Sequence, residues 1–286
     1  MTAQNRPGGS GRETNALLLC LRLAGLLLVG SIAAGAVTAS AAVHQPKPRS
    51  YSDAELIDGF DKTVFGVESA GRGSGDEARQ VKKWAGPVAY RIVNLSRTDR
   101  VVAAETFIAG LNRTVRNLRL EPAPSGSRGP GLLLFLVDRA DYQALIRRTV
   151  TDRREAAFLV RQDCSAVTGG PKPHVLSQAL VFVIADEGDD KFRHCLVEEL
   201  TQSLGPVNDH ASLADSIYND DNAVDTFTVF DWFILNMLYD ERVRPGMTRR
   251  EARRVLGAVI QDGRARLAPL ISEGWPDDPT LPRTAR

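Results

Sequence analysis

A run of six apolar residues, Leu132 to Val137, constrains the fold of this chain more than any other segment. Gly131 and Asp138 bound the run. An uninterrupted apolar stretch of this length is typical of a β-strand that is buried on both faces. Such a strand belongs inside a sheet, and the further candidate strands span residues 88–95, 118–121 and 174–185.

Helical patterns alternate with these strands and dominate the last third of the chain. Ser52 with Glu55, and Thr248 with Glu251, form two capping boxes that predict helix starts. The predicted helices cover residues 52–65, 99–115, 138 or 141 to 148, 192–205, 227–239 and 248–262. We therefore predict an α+β fold, a mixed sheet with helices on it and a helical C-terminal third. The strand at 174–185 leads directly into the helix at 192–205 and is predicted to be edge-like.

The helix predicted over residues 192–205 has an apolar face and a polar face. Glu198 and Gln202 lie opposite the apolar arc, and Glu199 falls just outside its edge. Both carboxylates can therefore face a cleft while the apolar residues hold the helix in the core. The arc consists of Phe192, Leu196, Val197, Leu200 and Leu204.

The polar residues of this helix keep the spacing of a zinc-protease motif, H-E-x-x-H, whose two histidines are replaced. The longer form of that motif continues x-x-G-x-x-H, where the glycine turns the chain and returns a third ligand. The residues at the corresponding positions are Glu198, Glu199, Gln202, Gly205 and Asn208, with Asp209 next to the last. The alternative is an ordinary amphipathic helix with solvated polar side chains, because motif matches of this kind also arise by chance.

The first 41 residues have the layout of a secretory signal peptide. Arginines precede an apolar run from Leu23 to Val37, and Ala39-Ser40-Ala41 is a small-residue cleavage site. We expect cleavage before Ala42, no stable membrane span afterwards, and a periplasmic or secreted protein. The alternative is an uncleaved anchor in the inner membrane, for which the run is short, since a full span needs about 20 apolar residues.

Cleavage would leave two cysteines, Cys164 and Cys195, in the exported chain. An even pair in an oxidising compartment most simply forms one disulfide, and we predict that bond. It would close a loop of about 30 residues and stabilise the fold by about 3 to 4 kcal/mol. Two free thiols, or Cys195 as a nucleophile, are the alternatives.

Length and charge bound the organisation and the partners. The predicted parts are a linker at 42–50, a single globular domain at 51–265 and a C-terminal tail at 266–286. The formal net charge is +1, and basic residues are spread along the chain among acidic ones. This distribution argues against nucleic acid as a partner.

Four separate motifs occur in order along the chain: the helix motif from Cys195 to Asp209, the run from Ser216 to Asp221, Leu238-Tyr239-Asp240, and the run from Arg244 to Thr248. Together they resemble one known family, the proteobacterial domain of unknown function family 2927. The similarity covers about residues 50 to 260. It implies an exported protein with a zincin-like domain in which a degenerate Glu-Glu-x-x-Gln helix replaces the zinc motif. No activity comes with the resemblance.

The resemblance implies roles for the helix residues. Glu199 would be the general base that activates a metal-bound water. Glu198 and Gln202 would be metal ligands, with Asn208 or Asp209 as the third. A set of oxygen ligands suits calcium, magnesium or manganese better than zinc, so the cofactor would be a divalent metal ion. His194, one turn before Glu198, and His210 offer alternative ligands.

Two functions remain open at this point. One is a divergent metal-dependent peptidase of the cell envelope with Glu199 as base. The other is a non-catalytic protein that uses the same fold to bind a peptide or an envelope protein, or that is chiefly structural. Measuring whether the protein holds a metal, and whether replacing Glu199 abolishes peptidase activity, would distinguish the two functions.

Overall fold

A computed structural model describes residues 50–66, 79–124, 126, 131–219, 221–222 and 224–272. The predicted signal peptide and the linker to residue 49 lie outside the described residues, as does the tail beyond residue 272. The strands are β1 (Lys83–Trp84), β2 (Val88–Asn94), β3 (Leu120–Pro122), β4 (Leu132–Val137), β5 (Ser165–Gly169), β6 (Val175–Leu176) and β7 (Gln178–Ile184). The helices are α1 (Asp53–Val64), α2 (Val101–Thr114), α3 (Arg139–Thr149), α4 (Arg153–Leu159), α5 (Asp189–Gln202), α6 (Val229–Tyr239) and α7 (Arg249–Ser272).

Five of the strands form one mixed sheet in the order β3-β2-β4-β7-β5. The first four are parallel to one another, and β5 pairs with β7 in the antiparallel direction. The two remaining strands, β1 and β6, form a short parallel pair. Seven helices accompany these sheets within the described residues, so the fold class is α+β, as predicted.

The central strand β4 is buried on both faces, which confirms the prediction from its apolar run. Leu132, Leu134 and Leu136 point into the larger core, to which α1, α2, α5, α6 and α7 contribute. Phe135 and Val137 point to the other face and pack into a smaller core with residues of α3 and α4. The alternation of strand side chains thus divides the interior into a thick layer and a thin one.

The strand predicted at 174–185 differs from expectation in two ways. It is split into β6 and β7, with Ser177 between them. The prediction of an edge-like strand was wrong, because β7 lies between β4 and β5 and pairs with both along its length. Its second neighbour, β5, has the sequence Ser-Ala-Val-Thr-Gly, which contains no apolar run to mark it.

Both predicted capping boxes are present. The Ser52 hydroxyl accepts from the Glu55 N–H while the Glu55 carboxylate accepts from Ser52, and Thr248 and Glu251 repeat this arrangement. The C-terminal helix α7 continues to Ser272, so the boundary predicted at residue 265 falls inside it. No helix within the described part of the chain is long and apolar enough to cross a membrane.

The predicted disulfide is present between Cys164 and Cys195, whose Cα atoms are 5.6 Å apart. Cys164 immediately precedes β5, and Cys195 lies in the second turn of α5. The bond therefore joins the antiparallel edge strand to the helix that carries the motif.

Candidate functional site

The motif helix α5 is held between a sharp turn at each end. Gly188 precedes it with φ +98°, and Gly205 follows it with φ +134°. A Cβ on Gly205 would lie 2.4 Å from the Lys82 carbonyl oxygen, so only glycine fits there. The turn at Gly205 brings the following residues back towards α1, where the Asn208 N–H donates to the Thr63 carbonyl at 3.2 Å. The glycine therefore makes the sharp turn predicted from the motif, and the turn directs Asn208 to α1.

The three polar residues of the motif on α5 are buried. Glu198, Glu199 and Gln202 expose 5%, 6% and 4% of their surface. The alternative of a solvated polar face is therefore wrong. Charged groups inside a protein need partners, since burial without them costs several kcal/mol.

His194 is the partner of Glu198. Its Nε2 lies 3.0 Å from the Glu198 Oε2, one helical turn away. Its Nδ1 lies 2.9 Å from the Val224 carbonyl oxygen. Because a carbonyl only accepts hydrogen bonds, Nδ1 carries the proton and Nε2 is turned towards the glutamate. The ring is thus held between the Val224 carbonyl and the Glu198 carboxylate.

The His194–Glu198 contact also sets the charge of the imidazole. Burial is the largest influence on the pKa of His194 and would lower it. The hydrogen bond and negative charge of Glu198, with the hydrogen bond to the Val224 carbonyl, outweigh burial, so the pKa of His194 lies above its ordinary value. The protonated ring and the carboxylate stabilise each other in this arrangement.

Glu199 lies on the side of the helix that faces the disulfide. Donor atoms of Glu198, Glu199 and Cys164 all lie within 4.8 Å of one another, and all three residues are buried. Burial raises the pKa of the Tyr142 hydroxyl, and the negative charge of Glu199 raises it further. The Tyr142 hydroxyl donates a hydrogen bond to the Ser165 hydroxyl, at the start of β5, at 2.9 Å. Two buried carboxylates thus lie next to the sulfur of Cys164, the residue that precedes β5.

Gln202 and Asp209 are brought together, but as a hydrogen-bonded pair. The Gln202 Nε2 donates to both Asp209 carboxylate oxygens, at 2.9 and 2.8 Å. The side-chain amide of Gln202 therefore occupies the position next to the Asp209 carboxylate that a cation bound by both residues would need. This pair closes the turn after α5.

Asn208, the residue at the third ligand position, connects that turn to α1. Its Nδ2 donates to the Lys62 carbonyl at 2.7 Å and to the Asp209 carbonyl at 3.2 Å. The His210 Nδ1 lies 2.9 Å from the Ser212 hydroxyl and accepts from the Ser212 N–H at 3.2 Å. Both side chains therefore stabilise the loop after the motif, and neither is placed with the His194–Glu198 pair.

Two residues of the loop before α6 were not singled out from the sequence as part of the site. Val224 supplies the carbonyl that orients His194, and Asp225 accepts from Arg193 Nε and Nη2 at 3.2 and 3.0 Å. The Asp225 Oδ1 is buried and has no hydrogen-bond partner among the described residues. Burial raises the pKa of Asp225 more strongly than Arg193 lowers it. A backbone carbonyl carries no sequence signal, which is why Val224 could not be found.

The polar run from Ser216 to Asp221 is mainly turn structure where it is described; Asp220 lies outside the described residues. The Asn219 Nδ2 donates to the Leu213 carbonyl at 3.2 Å, and its Oδ1 accepts from the Asp221 N–H at 3.0 Å. The Ser216 hydroxyl donates to Asp231 at 2.6 Å. These bonds are those expected of turn chemistry.

Two cavities lie along the loop that follows the motif. The larger, of about 360 Å³, is lined by residues of α1, by Asn208 and His210, and by Arg249 and Arg253 of α7. The smaller, of about 130 Å³, lies between the start of α1 and residues 212–216. They form a surface between α1 and the 208–216 loop that a partner could contact.

Comparison with known proteins places the chain in a family. The family described as "Protein of unknown function (DUF2927)" matches residues 53–258, well over half of the sequence. The chain belongs to this family. No curated protein and no solved structure matches it. The DUF2927 match spans β1 to β7 and α1 to α6 with the start of α7, so the buried motif helix lies within it.

Proposed function

We propose that this protein is exported to the cell envelope and that its DUF2927 domain is a divergent metal-dependent peptidase with Glu199 as general base. The observation that carries the proposal is the pairing of His194 Nε2 with Glu198 Oε2 at 3.0 Å, with Glu199 beside it. Imidazole and carboxylate groups one turn apart on a helix are a donor pair for a divalent metal. The hydrogen bond to Val224 supports the same role for His194.

Only some of the residues predicted from the motif are placed to bind a metal ion. His194 and Glu198 would hold a divalent ion, whereas Gln202, Asn208 and Asp209 are committed to the turn after α5. A bound ion would polarise a substrate carbonyl and lower the pKa of a water. Glu199 would accept the proton of that water and return it to the leaving amine. The low-dielectric surroundings of the pair strengthen each of these interactions.

The test measures metal and activity together. The untagged protein would be purified from the periplasm without chelators, and its metal content measured by inductively coupled plasma mass spectrometry. We expect one equivalent in the wild type and in Glu199→Gln, and none in the His194→Ala, Glu198→Gln double variant. Gln202→Ala is the matched control on the same helix and should keep the metal.

Peptidase activity is followed on a library of quenched fluorescent peptides. Glu199→Gln should lose activity by roughly 100-fold or more, which is the usual effect of removing a general base. A wild-type protein without bound metal and without activity would contradict the proposal. Amino-terminal sequencing of the same sample tests export, and we expect Ala42 as the first residue.

A second function is favoured by the burial of the site. Glu198 and Glu199 are almost inaccessible, and Gln202 is satisfied within the chain. These features suit a non-catalytic protein that binds a peptide or an envelope protein through its surface, for which the cavities beside the 208–216 loop are candidates. Absence of metal together with capture of an envelope peptide would favour this function.

A further inference from the structure

A disulfide sulfur lies among potential metal ligands. The Cys164 Sγ and carboxylate oxygens of Glu198 and Glu199 are mutually within 4.8 Å, and each residue is at least nine-tenths buried. The His194 Nε2 is 3.0 Å from the same Glu198 carboxylate. The sulfur and the two carboxylates are therefore close enough to share one ion, and His194 contacts this group through Glu198.

The disulfide determines whether the sulfur can bind a metal. In the Cys164–Cys195 bond the sulfur carries no thiolate charge, and the thiolate is the form that ligates metals. The two carboxylates are then the main negative charges beside it. Opening the bond would add a thiolate to the set, and one thiolate with two carboxylates suits Zn²⁺, with water completing a tetrahedral shell.

We propose that the Cys164–Cys195 disulfide and a zinc ion are alternative ways of closing one buried site. In the reduced protein, Cys164, Glu198 and Glu199 bind Zn²⁺, while His194 orients Glu198 from outside the ligand set. Oxidation to the disulfide removes the sulfur ligand and releases the ion. The site shares Glu198 and Glu199 with the peptidase site proposed above. It requires no catalysis, and it concerns the reduced chain, whereas the peptidase proposal concerns the oxidised one.

The reaction balances with a dithiol reductant. The reductant gives up two electrons and two protons and becomes a cyclic disulfide, while Cys164 and Cys195 become two thiols. Binding of Zn²⁺ then displaces the thiol proton of Cys164 to the solvent. Oxidation by a disulfide-exchanging partner reverses both steps.

The test uses a matched pair of variants, Cys195→Ser and Cys164→Ser. Both lack the disulfide and so lose the same cross-link, but only Cys195→Ser keeps the sulfur next to the glutamates. Each full-length variant is titrated with Co²⁺ as a spectroscopic substitute, then with Zn²⁺ in competition. A thiolate-to-cobalt charge-transfer band reports the sulfur ligand directly.

We expect the charge-transfer band only in Cys195→Ser. Zn²⁺ should bind to it at least 100-fold more tightly than to Cys164→Ser, because losing a ligand costs more than the roughly 10- to 100-fold loss typical of an outer-shell partner. Adding Glu198→Gln to Cys195→Ser should weaken binding by a similar factor. Oxidised wild-type protein should show no band. Equal affinities in the two cysteine variants, or no band in either, would overturn the proposal.

Loss of the disulfide could unfold both variants, and the measurement then becomes metal-dependent refolding. Circular dichroism is recorded while Zn²⁺ is added. Refolding of Cys195→Ser but not of Cys164→Ser supports the site, because metal binding and folding are coupled. The same response to Zn²⁺ in both variants refutes it. Metal content of the oxidised wild type tests the peptidase proposal separately.

Discussion

The turn at Gly205 gives the sharpest test of how the motif helix is held. The residue has φ +134°, and an added Cβ would lie 2.4 Å from the Lys82 carbonyl oxygen and 2.8 Å from Leu238 Cδ2. We expect Gly205→Ala to lower the free energy of unfolding substantially. The disfavoured backbone conformation costs on the order of 1 to 3 kcal/mol. Displacing a backbone carbonyl and a core leucine costs about 1 to 3 kcal/mol more.

The expected loss for Gly205→Ala is therefore about 4 kcal/mol, and urea unfolding followed by circular dichroism measures it. With a urea m-value of about 2 to 3 kcal/mol/M, the midpoint should fall by about 1.5 M. Gly257 is a matched control, because it lies within α7 and a Cβ there would meet nothing within 4 Å. Gly257→Ala should stabilise the protein by roughly 0.5 to 1 kcal/mol.

The result that would refute this reasoning is equally specific. A Gly205→Ala variant within about 1 kcal/mol of wild type would mean that the turn can shift away from Lys82 without strain, since an unrelieved clash of this kind costs more. The glycine would then have no structural role in the motif. An equal loss in Gly257→Ala would mean that the stability change does not report the turn at all.

Three further predictions test separate contacts. Replacing Cys164 and Cys195 together by Ala should lower the free energy of unfolding in urea by about 3.7 kcal/mol, the chain-entropy value for a loop with a sequence separation of 31. A loss under about 1.5 kcal/mol would contradict the chain-entropy account. The pKa of Asp231 is raised by burial to about 6 from 3.8, so its protonated form favours the fold. Relative to Asp231→Asn, wild-type stability should therefore fall by about 2 kcal/mol as the pH rises from 4 to 6. A constant or rising difference would refute this. Thr248→Ala removes the capping hydroxyl of α7 and should lower the unfolding free energy by about 1 kcal/mol, whereas Thr106→Ala, on the exposed side of α2, should change it little.

Much of the fold could be predicted because its signals are local. The apolar run at Leu132–Val137 identified the central strand, and the Ser52 and Thr248 boxes located two helix starts to within a residue. The disulfide followed from an even cysteine pair in a chain expected to be exported. Each of these signals depends on neighbouring residues or on simple counting, so no tertiary contact had to be known.

The missing parts depend on contacts that are distant in sequence. The strand β5 is short and weakly apolar, and its pairing with β7 moved that strand from the edge to the interior. Burial of Glu198 and Glu199 could not be predicted from a helical projection, because β5 and the loop at Val224 cover that side. The projection correctly placed His194 and Glu198 on one ridge, but it could not show that the Val224 carbonyl fixes the ring.

The unequal layers on the two faces of the sheet have a consequence for motion. The thin layer of α3 and α4 rests on a small core, whereas five helices share the large one. Segments with less buried apolar surface open at lower free energy, so the amides of α3 and α4 should exchange hydrogen before those of α6. Tyr142 of α3, which interacts electrostatically with Glu199, belongs to that thin layer. Solvent would thus reach the acidic pair through brief openings of α3, while the motif helix itself stays folded.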